Sequence, residues 1–471
     1  RFDVTYRAEY VPDEIRSGRP ATQVEGGFAV PAVGPLPVDL ADWRFELDAQ
    51  RRHLQARDPY GRVRWKLDVR PPAERDGPLR NIASAQVRAC GHLLAFAAGT
   101  TLVVIDLSRP GEPRALWSRD LLDRRFADFA INRRILGEPR LGTPGLIGFA
   151  GAEALLYQSG STVTAADPVT GETLWQRTGV PFGCELSGDD EFVVIQPPGG
   201  VEAFVGRIAD GGEAAFRRTA DHQQRLAWHG TRLVSWTATA DGTRLACRDV
   251  AREADLWSYD FPNGTKLSTA PPGEAAVLDP KTGRLRVVRF EDGRTLLDAE
   301  IDADPSVERI QLLRSFGRTL LLTRRAGRTN VERNAGLFES NGLAYAFDDA
   351  GRRLWSAAVT GLNAPLEQPA GLPVLYLAAT IHAPDRPPSH RAAVLDVRTG
   401  RLLVDQKRER QLLPFEFRTD AGTGSVTIAV PDGRFVLTPA DEPLPTPRAE
   451  GPGDLPKAAP AATPAAPVPA P

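Results

Sequence analysis

The sequence of 471 residues predicts an all-β protein, an eight-bladed β-propeller with seven blades as the alternative count. Short apolar runs of strand length, bounded by glycine and proline, occur along the chain. One turn motif recurs at intervals of 39 to 61 residues, and an aromatic or aliphatic residue follows it in a fixed slot. Many short strands with turn signals at this spacing are typical of propellers.

The apolar runs are each four to six residues long and read as strands. Because they are short and closely spaced, they favour a sandwich, a barrel or a propeller over a helical fold. The runs lie at 92–97, 102–105, 191–195, 232–236, 319–323, 374–377 and 392–395.

The recurring motif is a strand that ends in aspartate, a glycine within a few residues, and a second strand carrying tryptophan. The aspartate accepts backbone hydrogen bonds, the glycine supplies a positive φ, and the indole presents an apolar face to the neighbouring blade. Val404 takes the tryptophan slot of the last copy, and two degenerate copies surround Asp210 and Asp292. The clear copies contain Asp58, Gly61 and Trp65; Asp167, Gly171 and Trp175; Asp348, Gly351 and Trp355; and Asp396 and Gly400. Two looser copies contain Asp106 and Trp117, and Asp249 and Trp257.

The copy with Ala165, Asp167, Thr170, Gly171 and Trp175 resembles the repeats of the pyrroloquinoline-quinone-type propeller superfamily. The resemblance covers about residues 40–440 and implies the fold but no activity. This superfamily includes quinoprotein dehydrogenases, the propeller lipoprotein of the outer-membrane β-barrel assembly machinery, and sensor-like domains of bacterial kinases. Uncharacterised propeller proteins of planctomycete-like bacteria are also similar. The resemblance favours the cell envelope or periplasm, whereas the residues themselves leave the compartment open.

Three regions are predicted along the chain. Residues 1–40 form an N-terminal extension or strand, 41–441 the propeller, and 442–471 a disordered tail with ten prolines. Apolar residues at helical spacing predict one short insertion helix over 120–136. The segments 426–430 and 434–438 are expected to supply outer strands that close the ring.

Charge and hydropathy narrow the classes of partner. Lys and Arg total 58 against 60 for Asp and Glu, so no basic footprint for nucleic acid is expected. No apolar run is long enough for a membrane span. The chain begins with Arg and contains no Met, which suggests a mature form or part of a longer protein. We expect a monomer with a protein partner.

No catalytic, cofactor-binding or metal site is predicted. Adjacent cysteines, a haem attachment motif, a nucleophile elbow and a phosphate loop are all absent from the sequence. Cys90, Cys184 and Cys247 are interpreted as small buried residues, with one disulfide plus a free thiol as the alternative. The acidic run 189–191 is interpreted as a turn before a strand, and the histidines at 382 and 390 as polar loop residues.

The predicted function is a non-enzymatic scaffold that binds a protein or cell-envelope partner through loops on a propeller face. The candidate loops are 324–340 and 382–390, which are both polar and each carry Arg together with Asp or Glu. Two alternatives stay open: a quinone-dependent oxidoreductase with its site in the central channel, and a sensor or spacer domain of a larger chain.

Overall fold

The fold was analysed in a computed structural model of the whole chain. The structure describes residues 2–8, 28–30, 32, 36–37, 40, 42–48, 50–70, 85–98, 101–109, 112–121, 147–181, 183–269, 271, 273–327, 337–366, 368–381, 387–408, 412, 414, 416–420, 422–431 and 433–440.

Antiparallel strands in this part of the chain form nine consecutive four-stranded meanders, numbered here as sheets 1 to 9. Sheets 1 to 4 contain β2 (Phe28–Val30), β3 (Arg44–Leu47), β4 (His53–Arg57) and β5 (Val63–Asp68); β6 (Gln86–Cys90), β7 (Leu93–Ala98), β8 (Thr101–Asp106) and β9 (Arg114–Asp120); β10 (Ile147–Ala150), β11 (Ala154–Ser159), β12 (Thr162–Ala166) and β13 (Thr173–Arg177); and β14 (Glu185–Gly188), β15 (Phe192–Gln196), β16 (Glu202–Arg207) and β17 (Glu213–Arg218). A single parallel bridge between Ala150 and Gly188 joins sheets 3 and 4.

The later sheets repeat this order. Sheets 5 to 8 contain β18 (Arg225–His229), β19 (Arg232–Ala238), β20 (Gly242–Asp249) and β21 (Ala254–Pro262); β22 (Lys266–Ser268), β23 (Glu274–Asp279), β24 (Arg284–Arg289) and β25 (Thr295–Glu300); β26 (Val307–Ser315), β27 (Arg318–Arg325), β29 (Leu343–Phe347) and β30 (Arg353–Ala358); and β31 (Leu362–Pro365), β32 (Val374–Ile381), β33 (Ser389–Asp396) and β34 (Leu402–Arg408). An additional strand, β28 (Leu337–Ser340), pairs with β31 and makes sheet 8 five-stranded.

Sheet 9 combines both ends of the described chain. It contains β35 (Glu416–Thr419), β36 (Val426–Val430) and β37 (Gly433–Pro439), and β1 (Phe2–Ala8) is its outermost strand. β1 runs antiparallel to β37, with Tyr6 opposite Phe435. A strand from the start of the chain therefore completes the last sheet, which fastens the two ends together.

Apolar side chains between successive sheets form the core. Eight clusters of buried residues join sheet 1 to 2, 2 to 3, and so on up to 8 to 9. Between sheets 7 and 8, for example, the cluster contains Leu322, Phe338 and Leu377. The first strands of several successive sheets contact each other, so these strands lie at the centre and the fourth strands lie outside. This is the arrangement of a β-propeller.

The two faces of the propeller differ in the connections that they carry. The turn face carries the connections from first to second and from third to fourth strand of each sheet. The loop face carries the connections from second to third strand and the crossovers between sheets. Because strands alternate in direction, all connections of one kind emerge on the same face.

Sheet 1 meets sheets 8 and 9 at a contact that we call the closing seam. Gly371 N–H donates to the carbonyl oxygen of Pro59 at 2.7 Å, and the Arg44 guanidinium donates to the carbonyl oxygen of Gln368. A Cβ on Gly61 would lie 2.7 Å from the Phe417 carbonyl oxygen. The first sheet therefore contacts the last two, as ring closure requires.

The all-β prediction is confirmed, and each predicted apolar run coincides with a strand, apart from His92 and Glu191, which lie in the turns just before β7 and β15. The count of eight blades is not confirmed, since the described residues contain nine meanders. The prediction counted turns between third and fourth strands. Sheet 9 has no such turn, because its fourth strand comes from the other end of the chain.

Other expectations about the ends of the chain meet the structure in part. Strands β1 and β2 both lie within the predicted extension 1–40. The segments 426–430 and 434–438 are the second and third strands of sheet 9, inside β1. Asp120 ends β9, so the predicted helix does not begin there; 122–136 lie outside the described residues, as do 442–471. The described residues contain no α-helix.

Candidate interaction surface

The turn around Asp167 shows how the repeat motif folds. The Asp167 carboxylate accepts hydrogen bonds from the N–H groups of Thr170 at 2.7 Å and Val169 at 2.8 Å. These bonds, that of Thr170 foremost, hold the pKa of Asp167 below its ordinary value against the opposing effect of burial. Gly171 then adopts a φ of 73° and donates its N–H to the Asp167 carbonyl oxygen.

A similar local bond occurs in the other copies of the turn. In sheets 4 and 6, however, Arg207 and Arg289 occupy the position of Asp167, and their carbonyl oxygens accept the N–H of the turn glycine. Asp210 and Asp292 lie one residue before that glycine. Each aspartate carboxylate accepts an N–H from the residue two or three positions later. The pairs are Asp58 with Tyr60, Asp106 with Ser108, Asp210 with Gly212, Asp249 with Arg252, Asp292 with Arg294, Asp348 with Ala350, and Asp396 with Arg398. In sheet 5 the glycine position holds Glu253, which has a φ of 55°.

The tryptophans of the motif join each turn to the sheet before it. The Nε1–H groups of Trp117, Trp175 and Trp355 donate to backbone carbonyl oxygens in the turn of the next sheet, at 3.0, 2.7 and 2.8 Å. A Cβ on Gly171 would lie 2.8 Å from the Trp117 ring, and one on Gly400 would lie 2.6 Å from the Trp355 ring. We call this packing of a tryptophan on the following turn glycine the indole–glycine contact.

Trp65 and Trp257 occupy the same slot with different partners. Trp65 is buried between sheets 1 and 2, with its ring centroid 6.2 Å from that of Phe45. Trp257 covers Gly293 of sheet 6, but its Nε1–H is buried without a hydrogen-bond partner. Trp65 and Trp257 both keep the apolar packing on the next sheet, and Trp257 keeps it without the hydrogen bond. Apolar packing is therefore the more constant feature of the slot.

Each slot lies beside a β-bulge, which occurs at the same position in successive sheets. In sheets 1 to 8 the register of the third and fourth strands shifts next to the residue that pairs with the slot. In sheet 4 this register puts Ala215 in the slot opposite Val205, while the neighbouring Phe216 is exposed. Sequence spacing around Asp210 does not reveal the bulge, because one residue of slip exchanges the two faces of the strand.

The long connections of the propeller gather on the loop face. Between second and third strands, the connections 326–342 and 382–388 belong to the neighbouring sheets 7 and 8, whereas those of the other sheets span two to five residues. The crossovers 9–27, 69–85 and 121–146 also begin and end on this face. On the turn face, by contrast, only 31–43 exceeds eight residues.

The first candidate loop is shorter than predicted. Arg324 belongs to β27 and the four residues of β28 pair with β31, so the interpretation of all of 324–340 as a loop is wrong. β28 forms because Phe338 adds to the apolar cluster between sheets 7 and 8 and because β31 offers an unpaired edge. Residues 328–336 lie outside the described residues.

A buried ion pair anchors this segment. The guanidinium of Arg324, 6% exposed, donates from Nε to Glu339 Oε2 at 3.1 Å and from Nη1 to Glu308 Oε2 at 2.7 Å. Asn341 bonds to both backbone groups of Arg325, and Ser340 Oγ donates to the Thr323 carbonyl oxygen. Both ends of the connection are therefore fixed to β27.

The second candidate loop leaves the same sheet. Ile381 and Ser389 pair at the base of 382–388, and the Nδ1 of His390 lies 3.1 Å from Thr380 Oγ1. His382 lies outside the described residues. β28 pairs with β31, and β31 pairs with β32, so Ser340, at the loop-face end of β28, lies two strands, or about 10 Å, from β32. Leu337, at the start of β28, lies opposite Pro365, at the turn-face end of β31.

Other sequence candidates have structural roles. Asp189 accepts N–H bonds from Glu191 and Phe192, which confirms a turn before β15. Its other carboxylate oxygen, Oδ2, accepts a hydrogen bond from Arg252 Nη1 at 2.7 Å, which links sheets 4 and 5. All three cysteines are free, with Cys184 and Cys247 buried and Cys90 half-buried.

Two oppositely charged side chains, Arg88 and Glu185, lie on the first strands of sheets 2 and 4. Burial lowers the pKa of the Arg88 guanidinium to about 10, against the opposing charge of Glu185. The Glu185 carboxylate accepts the Nε1–H of Trp228 at 2.8 Å. Among the described residues, no three His, Cys, Asp or Glu side chains are grouped to hold a metal ion. No helix in that part of the chain is long and apolar enough to cross a membrane.

Comparison with known proteins adds structural similarities only. No family model and no curated protein matches the chain. BamB from Moraxella catarrhalis is 13% identical, with a TM-score of 0.32 over 77% of this chain and 95% of that chain. Hsv2 from Kluyveromyces lactis is 10% identical, with a TM-score of 0.32 over 67% and 95%. The dihydro-heme d1 dehydrogenase NirN is 10% identical, with a TM-score of 0.37 over 80% and 76%.

The sheets of this chain define a β-propeller. Membership of the pyrroloquinoline-quinone-type superfamily stays a prediction from the turn motif.

Proposed function

We propose that the chain is a scaffold that binds a protein partner of the cell envelope through the loop face of sheets 7 and 8. The observation that carries the proposal is the clustering of the two longest connections between second and third strands in neighbouring sheets. Binding residues concentrate on loops held by a rigid framework. The framework here is β27, β28 and β31 to β33, held by buried apolar packing.

The described rim of this surface is charged. Arg325 pairs with Asp304 at 2.6 Å, and Glu308, half exposed, pairs with Arg324 at 2.7 Å. Charges of both signs at a rim steer encounter and orientation, and their contribution falls as salt rises. We therefore expect a polar, salt-sensitive interface.

The test is a pull-down from cell-envelope extract with the full chain. In one variant a Gly-Ser linker replaces 328–336, and in a second it replaces 382–388. A matched control replaces the connection 239–241 of sheet 5, on the same face, with Gly-Ser-Gly. We expect both loop variants to lose a partner that the wild type and the control retain, and recovery to fall between about 0.05 and about 0.5 M salt.

Two results would contradict the proposal. Unchanged recovery of the partner with both connections replaced would remove the loop assignment. Turnover of an alcohol or sugar by the purified protein, with added quinone and Ca²⁺, would instead favour the oxidoreductase alternative.

A further inference from the structure

An exposed apolar patch lies on the turn face, on the side of the molecule opposite to the proposed loop surface. Tyr60, Phe316 and Leu366 are 44%, 45% and 37% exposed, and they are three of the ten large apolar side chains that are exposed in the described residues. Each belongs to a turn of a different sheet: sheet 1, sheet 7 and sheet 8. Such clustering is unusual for a surface that contacts only water.

Backbone hydrogen bonds hold these three turns together. Phe316 N–H donates to the carbonyl oxygen of Ala370 at 2.6 Å, and Gly371 N–H donates to that of Pro59 at 2.7 Å. A Cβ on Gly371 would lie 2.7 Å from the Tyr60 ring, so the ring lies directly against this backbone. The Arg62 guanidinium lies 5.2 Å from the centre of the same ring. The patch is therefore preformed around the connection between β31 and β32.

The chain leaves its last strand on this same face. β37 ends at Pro439, next to the turn of sheet 9, where a Cβ on Gly424 would lie 3.3 Å from Pro439 Cγ. Phe435 pairs with Ile428, which pairs with Phe417, and Phe417 contacts the Tyr60 turn at Gly61. The distance from the end of β37 to the patch is therefore roughly 10 Å across the strands of sheet 9 and roughly 13 Å along them.

The sequence that follows suits an aromatic surface. Pro443, Pro445 and Pro447 alternate with other residues just after β37, at the start of a segment with ten prolines. An extended polyproline chain advances about 3.1 Å per residue, so 443–447 can reach the patch. Proline-rich segments bind aromatic-lined surfaces because their rings pack on the aromatic groups at a low cost in conformational entropy.

We propose that residues 443–447 bind the patch of Tyr60, Phe316 and Leu366 within the same chain. Covalent connection raises the effective concentration of the segment at the patch, so a weak contact is enough to populate the bound state. The bound segment would lie across the closing seam and reinforce the junction between the first and last sheets.

Photo-crosslinking in the full chain tests the proposal. The variant Tyr60→p-benzoylphenylalanine should crosslink to the peptide that contains 443–447. The matched control is Phe216→p-benzoylphenylalanine, an exposed aromatic position on the outer strand of sheet 4, which should not. Adding Pro443→Ser, Pro445→Ser and Pro447→Ser should lower the crosslink yield at least about fivefold.

Two further measurements make the outcome decisive. In a mixture of isotopically heavy and light chains, crosslinks within one label support the proposal, and mixed-label crosslinks overturn it in favour of a second copy. Amide hydrogen exchange over 366–373 should be several-fold faster in the triple serine variant than in the wild type. Equal exchange in the two proteins also overturns the proposal, as does a crosslink from position 60 to a segment other than 443–447 and the adjoining connection 366–373.

Discussion

The junctions between successive sheets and the closing seam join neighbouring sheets by different means. Between sheets 7 and 8, Trp355 covers Gly400 and an apolar cluster fills the space beneath. At the closing seam, Gly61 instead meets a backbone carbonyl of β35. No apolar cluster in the described part of the chain joins sheet 9 to sheet 1.

The side chains of β3 and β4 that point away from sheet 2 are all polar. They include Arg44, Glu46, Gln55 and Arg57, none fully buried, and Arg57 Nε donates to Glu46 Oε2 at 2.8 Å. On the other side, the outward side chains Asp3 and Thr5 of β1 are exposed. The repeats therefore add one to the next by apolar burial, whereas the ends meet by strand pairing within sheet 9 and by polar contacts at the seam.

Loss of an indole should have the largest effect on stability. We expect Trp355→Ala or Trp175→Ala to lower the free energy of unfolding by ~3–5 kcal/mol, because a large cavity opens between two sheets and a carbonyl loses its donor. Urea melts followed by circular dichroism measure the change. Melts of either variant that superimpose on the wild type would mean that the indole–glycine contact does not hold the sheets.

Gly400→Ala should cost about 2–4 kcal/mol, since the added methyl strains a φ of 70° and collides with the Trp355 ring. Gly160→Ala is the matched control, with a φ of 58° and open space around its Cβ position. It should cost about 1 kcal/mol from backbone strain alone. Equal losses of stability in the two variants would show that contact with the Trp355 ring adds nothing to the cost of a side chain at position 400.

Acid should weaken the turns of the repeats. The pKa of Asp167 is lowered in the folded protein. The stability that its ionised carboxylate contributes is therefore fully present above the unfolded-state pKa, and this stability is lost as the pH falls through the folded-state pKa. Asp68 behaves alike, with a pKa of about 2 set mainly by its bond to Arg70. We expect unfolding free energies to fall from pH 5 to pH 3, and Asp167→Asn to flatten part of that slope. An identical slope for variant and wild type would exclude this role.

At the closing seam, Glu46→Gln should cost about 1 kcal/mol or less, because the ion pair with Arg57 is partly hydrated and the amide still accepts a hydrogen bond. The change should shrink further at high salt. A loss as large as that of Trp355→Ala, measured in the same melts, would break the distinction between seam and repeat junctions.

The smallest expected change is a gain. Glu253 has a φ of 55° at the position where other turns have glycine. Glu253→Gly relieves this strain but removes an exposed ion pair with Arg217, so we expect a net stabilisation of about 0.5–1 kcal/mol. Destabilisation in thermal and urea melts would show that the turn of sheet 5 accommodates the side chain without strain.

The sequence by itself determined the all-β class, the strands and the Asp-to-Gly turns, because these follow from local periodicity and turn chemistry. Only the tertiary structure decided the rest. Pairing of β1 with β37, the strand β28 within a polar segment, and Ala215 rather than Phe216 in the slot all depend on partners distant in sequence or on a one-residue shift. The candidate binding surface has the same origin, since its two connections become neighbours only when β28 and β32 pair with β31.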